Sequence, residues 1–256
     1  MPISRLEFFR EVYLILYKLF VPIQKQKTLL ISDKYRFIFI HNPKCAGTSI
    51  FELLKGHSNF LCRYNSSQPY YYLRKFFGES ALLCNFGQHA SALELKKKIP
   101  EYKWNSYYKF GIVRNPYSRA VSFFYHIMNK PQSIRNELFR SLGNLTNYAK
   151  YLETAHFKDT QHYYFTDGHD HLMVDKILKF ENLSNEFPAL LEHLELPSQK
   201  LPVINQAIQK RDYRNMLNAD SLKIFNEIYH KDFLLFDYKK LEVSELNDKI
   251  EYSPER

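Results

Sequence analysis

Lys44, Gly47, Thr48 and Ser49 stand in a turn between an apolar run, Phe37–Ile40, and a stretch with helical spacing of apolar residues at Ile50, Phe51, Leu53 and Leu54. Together these residue types can bind an anion. A helix that starts just after a tight turn points unpaired N–H groups, and the positive end of its dipole, back at that turn. An ammonium group, two hydroxyls and the amides of Ala46, Gly47 and Thr48 then make a phosphate cradle. Pro43 and Gly47 punctuate the turn, and Thr48 and Ser49 are expected to cap the helix.

Arg114 centres a second constellation. Tyr107–Arg114 reads as a strand, Asn115 as an N-cap and Pro116 as a first helical residue. Arg114 would then sit at the carboxyl end of a strand, where open α/β sheets bind ligands, and its planar fork suits a phosphate. The following helix places Ala120, Val121, Phe123, Phe124 and Ile127 on its apolar positions, with Arg119, Ser122 and His126 elsewhere on its surface. Ser122, two turns in, offers a further hydroxyl. For proton transfer near neutral pH the candidate is His89, which lies between the two constellations and just ahead of a capping-box sequence, Ser91–Glu94. His41 and His57 are its rivals, being close to the first turn. His169-Asp170-His171 has the look of a metal fragment, but no further ligands follow at a recognisable spacing, and a polar turn after Asp167-Gly168 is expected there.

The elements that must position these groups alternate along the chain. Strands are expected over 35–41, 107–113 and 174–180, with helices over 48–56, 92–98 and 116–129, through 133–165, and near 184–194 and 220–231. That alternation predicts an α/β fold with a parallel sheet covered on both faces. A helical lead-in over 1–27, an irregular Tyr-rich insertion over 57–86 that would shape an acceptor site, and a charged tail from about residue 242 complete a single domain spanning 1–256.

The first turn is not the usual nucleotide-kinase loop, in which the lysine follows the second glycine of G-x-x-x-x-G-K-[ST]. Here Lys44 precedes the one glycine. The order P-K-x-x-G-T-S, Pro43 to Ser49, resembles the 5′-phosphosulfate loop of sulfotransferases, whose donor is 3′-phosphoadenylyl sulfate (PAPS). Arg114 to Ser122, R-N-P-Y-S-R-A-V-S, resembles the 3′-phosphate motif R-x-P-x-x-R-x-x-S of the same enzymes. Weaker stretches resemble the carbohydrate branch that includes heparan 2-O and chondroitin enzymes. These are Gly87–Ala92 with its histidine, Val174–Leu183 ending in F-E-N-L, Leu201–Asn205 and Tyr229–Phe233.

The resemblance implies a P-loop-like three-layer fold and transfer of a sulfuryl group from PAPS to an acceptor hydroxyl, most naturally of a carbohydrate. Adenosine 3′,5′-bisphosphate would leave as product, and no metal would be required. Lys44, Ala46, Gly47, Thr48 and Ser49 would hold the 5′-phosphate, Arg114 and Ser122 the 3′-phosphate, with Lys44 and His89 as the catalytic pair. Two other classes stay open on the residues alone. One is a P-loop nucleotide kinase, which needs a lysine after the glycine and an acidic strand end for magnesium. The other is a non-catalytic module that binds polyanions by charge.

Bulk properties agree with an enzyme acting on anions. The net charge of +9 favours acidic partners, yet the lysines are dispersed and no nucleic acid partner is expected. Lys96-Lys97-Lys98, the one tight basic run, suits the end of a helix. Twenty tyrosines and 21 phenylalanines, against seven glycines, describe a packed globule with aromatic surface for a sugar or adenine ring. Three cysteines, Cys45, Cys62 and Cys84, form no C-x-x-C signature. Cys45 is expected to be a bystander in the loop. Leu6–Val21 is apolar but broken by Glu7, Arg10, Glu11 and Lys18, too short and charged to span a membrane. It is expected to pack on the body, with docking to a membrane surface as the alternative. Golgi members of the family normally carry an N-terminal membrane anchor; the departure of this sequence from them points to a cytoplasmic, bacterial enzyme, or to a Golgi-lumenal one if the sequence is a trimmed piece.

Overall fold

The computed structural model describes residues 30–58, 89–130, 135–155, 160–199 and 212–246. The expected lead-in, nearly all of the Tyr-rich insertion, Gly87, Gln88, Cys62, Cys84, residues 201–205 and the end of the tail lie outside them.

Among the described residues, four strands form one sheet in the order β1 (Leu30–Ser32), β2 (Phe37–Ile40), β3 (Tyr108–Val113) and β4 (Lys176–Lys179). β2, β3 and β4 are parallel, with Ile40 opposite Gly111 and Val113 opposite Lys179. β1 runs antiparallel to β2. That strand was not expected from the sequence, because three residues are too short a run to show alternation.

Side chains alternate strictly across the sheet. Ile31, Ile38, Ile40 and Val113 face one core cluster, while Leu30, Phe37, Phe39, Phe110, Ile112 and Leu178 face a second. Both faces are buried, as parallel sheets require. Each fully buried Phe or Ile contributes about 1.5–3 kcal/mol.

Ten α-helices are formed by the described residues. α1 (Gly47–Leu54) and, further along, α8 (Leu183–His193) cover the Phe37/Phe110 face. α2 (Ala92–Lys96), α3 (Glu101–Ser106) and α7 (His162–Phe165) cover the other. Gly111 is required there, since a Cβ would stand 2.1 Å from Cε1 of Phe165. α4 (Pro116–Met128), α5 (Asn136–Leu142), α6 (Leu145–Thr154), α9 (Ala219–Ile228) and α10 (His230–Leu235) build a third cluster around Tyr117, Phe124, Tyr148 and Phe225.

Several local expectations meet their physical limits. The helical stretch expected through 133–165 is broken where Gly143, with φ 72°, ends α5 and Asn144 caps α6 through the Asn147 amide. The single helix expected near 220–231 divides at Tyr229 into α9 and α10. The Ser91–Glu94 capping box and the Asn115-Pro116 helix start form as the sequence predicts.

Candidate active site

All three parallel strands end on one edge of the sheet, and the segments that follow them meet there. His41 and Asn42 leave β2 and lead into the turn before α1. Arg114 and Asn115 leave β3 and start α4. Phe180–Asn182 forms a 3₁₀ turn directly after β4.

The first turn is built from alternating backbone hands. Lys44 and Ala46 are left-handed (φ 66° and 57°), while Cys45 between them and Gly47 after them are not. Such alternation can turn successive amides toward one concave side, the backbone pattern of an anion-binding nest. The expected Thr48 and Ser49 caps are absent. The N-cap is Ala46, with no side-chain cap bond, and the first helical bond runs from Ile50 N–H to Ala46 O at 3.1 Å. The amides of Gly47, Thr48 and Ser49 therefore lie ahead of the helix's own bonding, at its positive end. Ser49 is buried and Thr48 half-buried.

Two non-glycine residues in the left-handed region cost on the order of 1–3 kcal/mol each, and persist only where the surroundings hold them. The surroundings do so. Pro43 O accepts from Arg119 Nε at 3.0 Å, Lys44 O from Arg114 Nη1 at 3.4 Å, and the Cys45 thiol is buried against Asn42 Nδ2 at 3.1 Å. Gly47 has its own constraint, a close approach. A Cβ there would stand 1.6 Å from His41 Nε2, so only glycine lets the imidazole lie against the start of α1.

Arg114 is 7% exposed. Its Nε donates to Ser118 Oγ at 2.9 Å, and its guanidinium carbon sits 4.4 Å over the Phe180 ring. No carboxylate among the described residues comes within salt-bridge distance of it. Burial pulls its pKa below the ordinary value; Cys45, Glu181 and Tyr238 oppose that shift, and Arg119 adds to it. An arginine stays charged regardless, so this is a desolvated cation with no salt-bridge partner among the described residues. Ser122 is also buried, but the hydroxyl that meets Arg114 belongs to Ser118, one turn earlier.

Arg119 and Ser122, expected on other parts of the helix surface, are both in the interior, and Arg119 is only 1% exposed. The loop carbonyl explains the arginine, since a buried guanidinium needs an acceptor.

His89 lies beside His41, with ring centroids 4.4 Å apart. Its Nδ1 is 3.0 Å from the His41 carbonyl oxygen. A carbonyl only accepts, so Nδ1 carries the proton and the neutral ring keeps its lone pair on Nε2. His57 is remote from this arrangement, against Tyr35 and Gln199. His169-Asp170-His171 forms the expected turn. Asp167 takes the amides of His169 and His171 and the Nδ1 of His171, and Asp170 pairs with Lys231 at 2.7 Å.

Three contributors were not singled out from the sequence. Glu181 accepts from the Asn115 amide at 2.8 Å and from Tyr238 Oη at 2.8 Å. Burial, then the neighbouring Glu181 charge, push the Tyr238 hydroxyl far above its ordinary value. Asn42 and Gln161, both buried, connect the ends of β2 and β3. The F-E-N-L resemblance pointed at Phe180 and Glu181, whereas nothing local marks Gln161.

A model of the sulfotransferase family matches residues 27–239, which takes in both turns, the Phe180–Asn182 segment and α10. The chain belongs to the sulfotransferase family. It is therefore an enzyme, a transferase of sulfuryl groups, and the kinase and passive polyanion readings fall away. Comparison with curated proteins and with solved structures gave no match. Among this sulfotransferase's described residues, no helix is long and apolar enough to cross a membrane.

Proposed function

We propose that the enzyme moves the sulfuryl group of PAPS onto a hydroxyl of a carbohydrate acceptor by in-line displacement. The observation that carries this reading is the Arg114 cation, buried with no carboxylate among the described residues at salt-bridge distance and joined at its Nη1 to the carbonyl of Lys44 in the other turn. A desolvated cation next to a nest of amides fits a ligand with two anionic ends.

Lys44, with the amides of Ala46, Gly47 and Thr48 and the hydroxyls of Thr48 and Ser49, holds the 5′ side. Lys44 neutralises the charge that builds on the departing phosphate as the sulfur–oxygen bond breaks. Arg114 and Ser122 hold the 3′-phosphate, Ser122 acting from the turn after Ser118. The Nε2 lone pair of His89 takes the acceptor hydroxyl's proton as its oxygen bonds to sulfur. The scheme resembles phosphoryl transfer in asking for alignment and charge neutralisation and little covalent help. It assigns that neutralisation to fixed cations and amides.

The test is transfer from labelled PAPS to a panel of oligosaccharides, small alcohols and lipids. Label appearing on a sugar hydroxyl, lost in the His89→Ala protein, is the expected result. Transfer to none of the sugars but to another acceptor class would overturn the carbohydrate assignment.

A further inference from the structure

One side chain fastens both turns. Gln161, at the start of α7, is fully buried. Its Oε1 accepts from the Arg114 amide at 2.9 Å and from Asn42 Nδ2 at 3.0 Å, and stands 3.6 Å from Cys45 Sγ. Its Nε2 donates to the Arg114 carbonyl at 2.7 Å. The carboxamide thus engages both backbone groups of Arg114, as a neighbouring strand would, at the point where β3 leaves the sheet. Asn42 closes the bridge from the other side, its Nδ2 standing also 3.1 Å from Ile112 O and 3.1 Å from Cys45 Sγ, so that its two N–H groups are shared among three acceptors.

Gln161 is itself held in place. Asp232, fully buried in α10, accepts from the Gln161 amide at 2.8 Å and from the His162 amide at 2.8 Å. Asn42 shows what this arrangement costs. Its Oδ1 is buried without a hydrogen-bond partner among the described residues, which costs free energy. The side chain is turned so that its NH₂ group serves both turns.

We infer that Gln161 is a positioning residue: it sets the separation between the Lys44 turn and Arg114, and so the enzyme's ability to engage both phosphates of one nucleotide at once. This rests on the donor reading above. Gln161 touches no reacting atom; it acts through the Arg114 backbone and through Asn42.

The test compares titration calorimetry of adenosine 3′,5′-bisphosphate and of adenosine 5′-phosphate on the wild type, Gln161→Glu and Asn42→Ala, each checked for folding by circular dichroism. Gln161→Glu keeps the acceptor for Arg114 and replaces the donor to its carbonyl with an oxygen. Asn42→Ala cuts the other limb. Misplacing a contact by about 1 Å loses most of its advantage, so each folded variant should bind the bisphosphate about tenfold or more weakly while the monophosphate changes little. A general loosening of the fold would weaken both ligands alike. An unchanged ratio in a folded variant overturns the inference, as does failure of both variants to fold, which would make the network a folding device. A wild type that binds the two nucleotides equally defeats the donor reading first, and the inference with it.

Discussion

Arg114 Nη1 lies 3.4 Å from the carbonyl oxygen of Lys44, a contact between residues 70 positions apart. Arg119 Nε, one turn into α4, repeats the arrangement at Pro43 O, at 3.0 Å. Both arginines thus spend part of their bonding capacity on the backbone of the first turn. The Lys44 side chain plays no part in these two contacts; its backbone does.

Lys44→Ala should therefore leave the fold intact while removing the cation. Loss of a preorganised electrostatic group typically lowers kcat by about 10²–10³-fold. The melting temperature should move by no more than about 2–4 °C, equivalent to about 1 kcal/mol in a chain of this size. Transfer assays and thermal melts on the same preparation check both halves.

Gly47→Ala should damage stability and donor binding together. The added methyl collides with His41, and overpacking of this kind costs about 1–3 kcal/mol. Combining it with His41→Ala should restore part of the lost stability, because the two residues are in contact and their effects do not add. Denaturant melts of the two single variants and the double variant read the coupling.

His89→Ala should lower kcat by about 10²–10⁴-fold with little change in the donor's KM. In the wild type, rate should fall on the acid side as Nε2 takes up a proton, and that limb should vanish from the variant's residual activity. A pH–rate profile of both proteins decides it.

Tyr117 gives a prediction about alkaline stability. Its hydroxyl is buried, donates to Asn226 Oδ1 and accepts from the Leu241 amide at 3.0 Å. Burial pushes its pKa from 10.0 up to about 12. The unfolded chain ionises first, so this contribution is fully present below pH 10 and is lost as pH rises toward 12. Tyr117→Phe should remove that part of the alkaline loss. It should also cost about 1–3 kcal/mol at neutral pH by leaving the Leu241 amide unpaired. Melting curves from pH 7 to 11 test both.

The regular part of this architecture was open to sequence reading. β2, β3 and β4, with the helices after the first two, announce themselves by apolar runs, a proline at N1 and an asparagine cap. Residues in both candidate phosphate motifs carry chemistry suited to an anion in their types. What stayed hidden has two physical causes. Lys44 and Ala46 adopt left-handed backbone without glycine, held there by partners some 70 residues away, so no local signal exists. Gln161 and Arg119 are polar residues whose burial depends on tertiary acceptors, and helical periodicity places Arg119 outside when tertiary contact puts it inside. The cap expected of Thr48 and Ser49 failed for the same reason: the nest, not a side chain, shapes the start of α1.

The central claim is that two turns hold two phosphates of one nucleotide. Calorimetric titration of adenosine 3′,5′-bisphosphate and adenosine 5′-phosphate, in chelator, on the wild type and on Arg114→Ala tests it most directly. The account predicts that the wild type prefers the bisphosphate, and that Arg114→Ala loses about 1.5–3 kcal/mol of that preference, the worth of a charged hydrogen bond, with the monophosphate weakened less because Arg114 also braces the Lys44 carbonyl. Equal weakening of both nucleotides in Arg114→Ala, or a wild type indifferent to the 3′-phosphate, would contradict it.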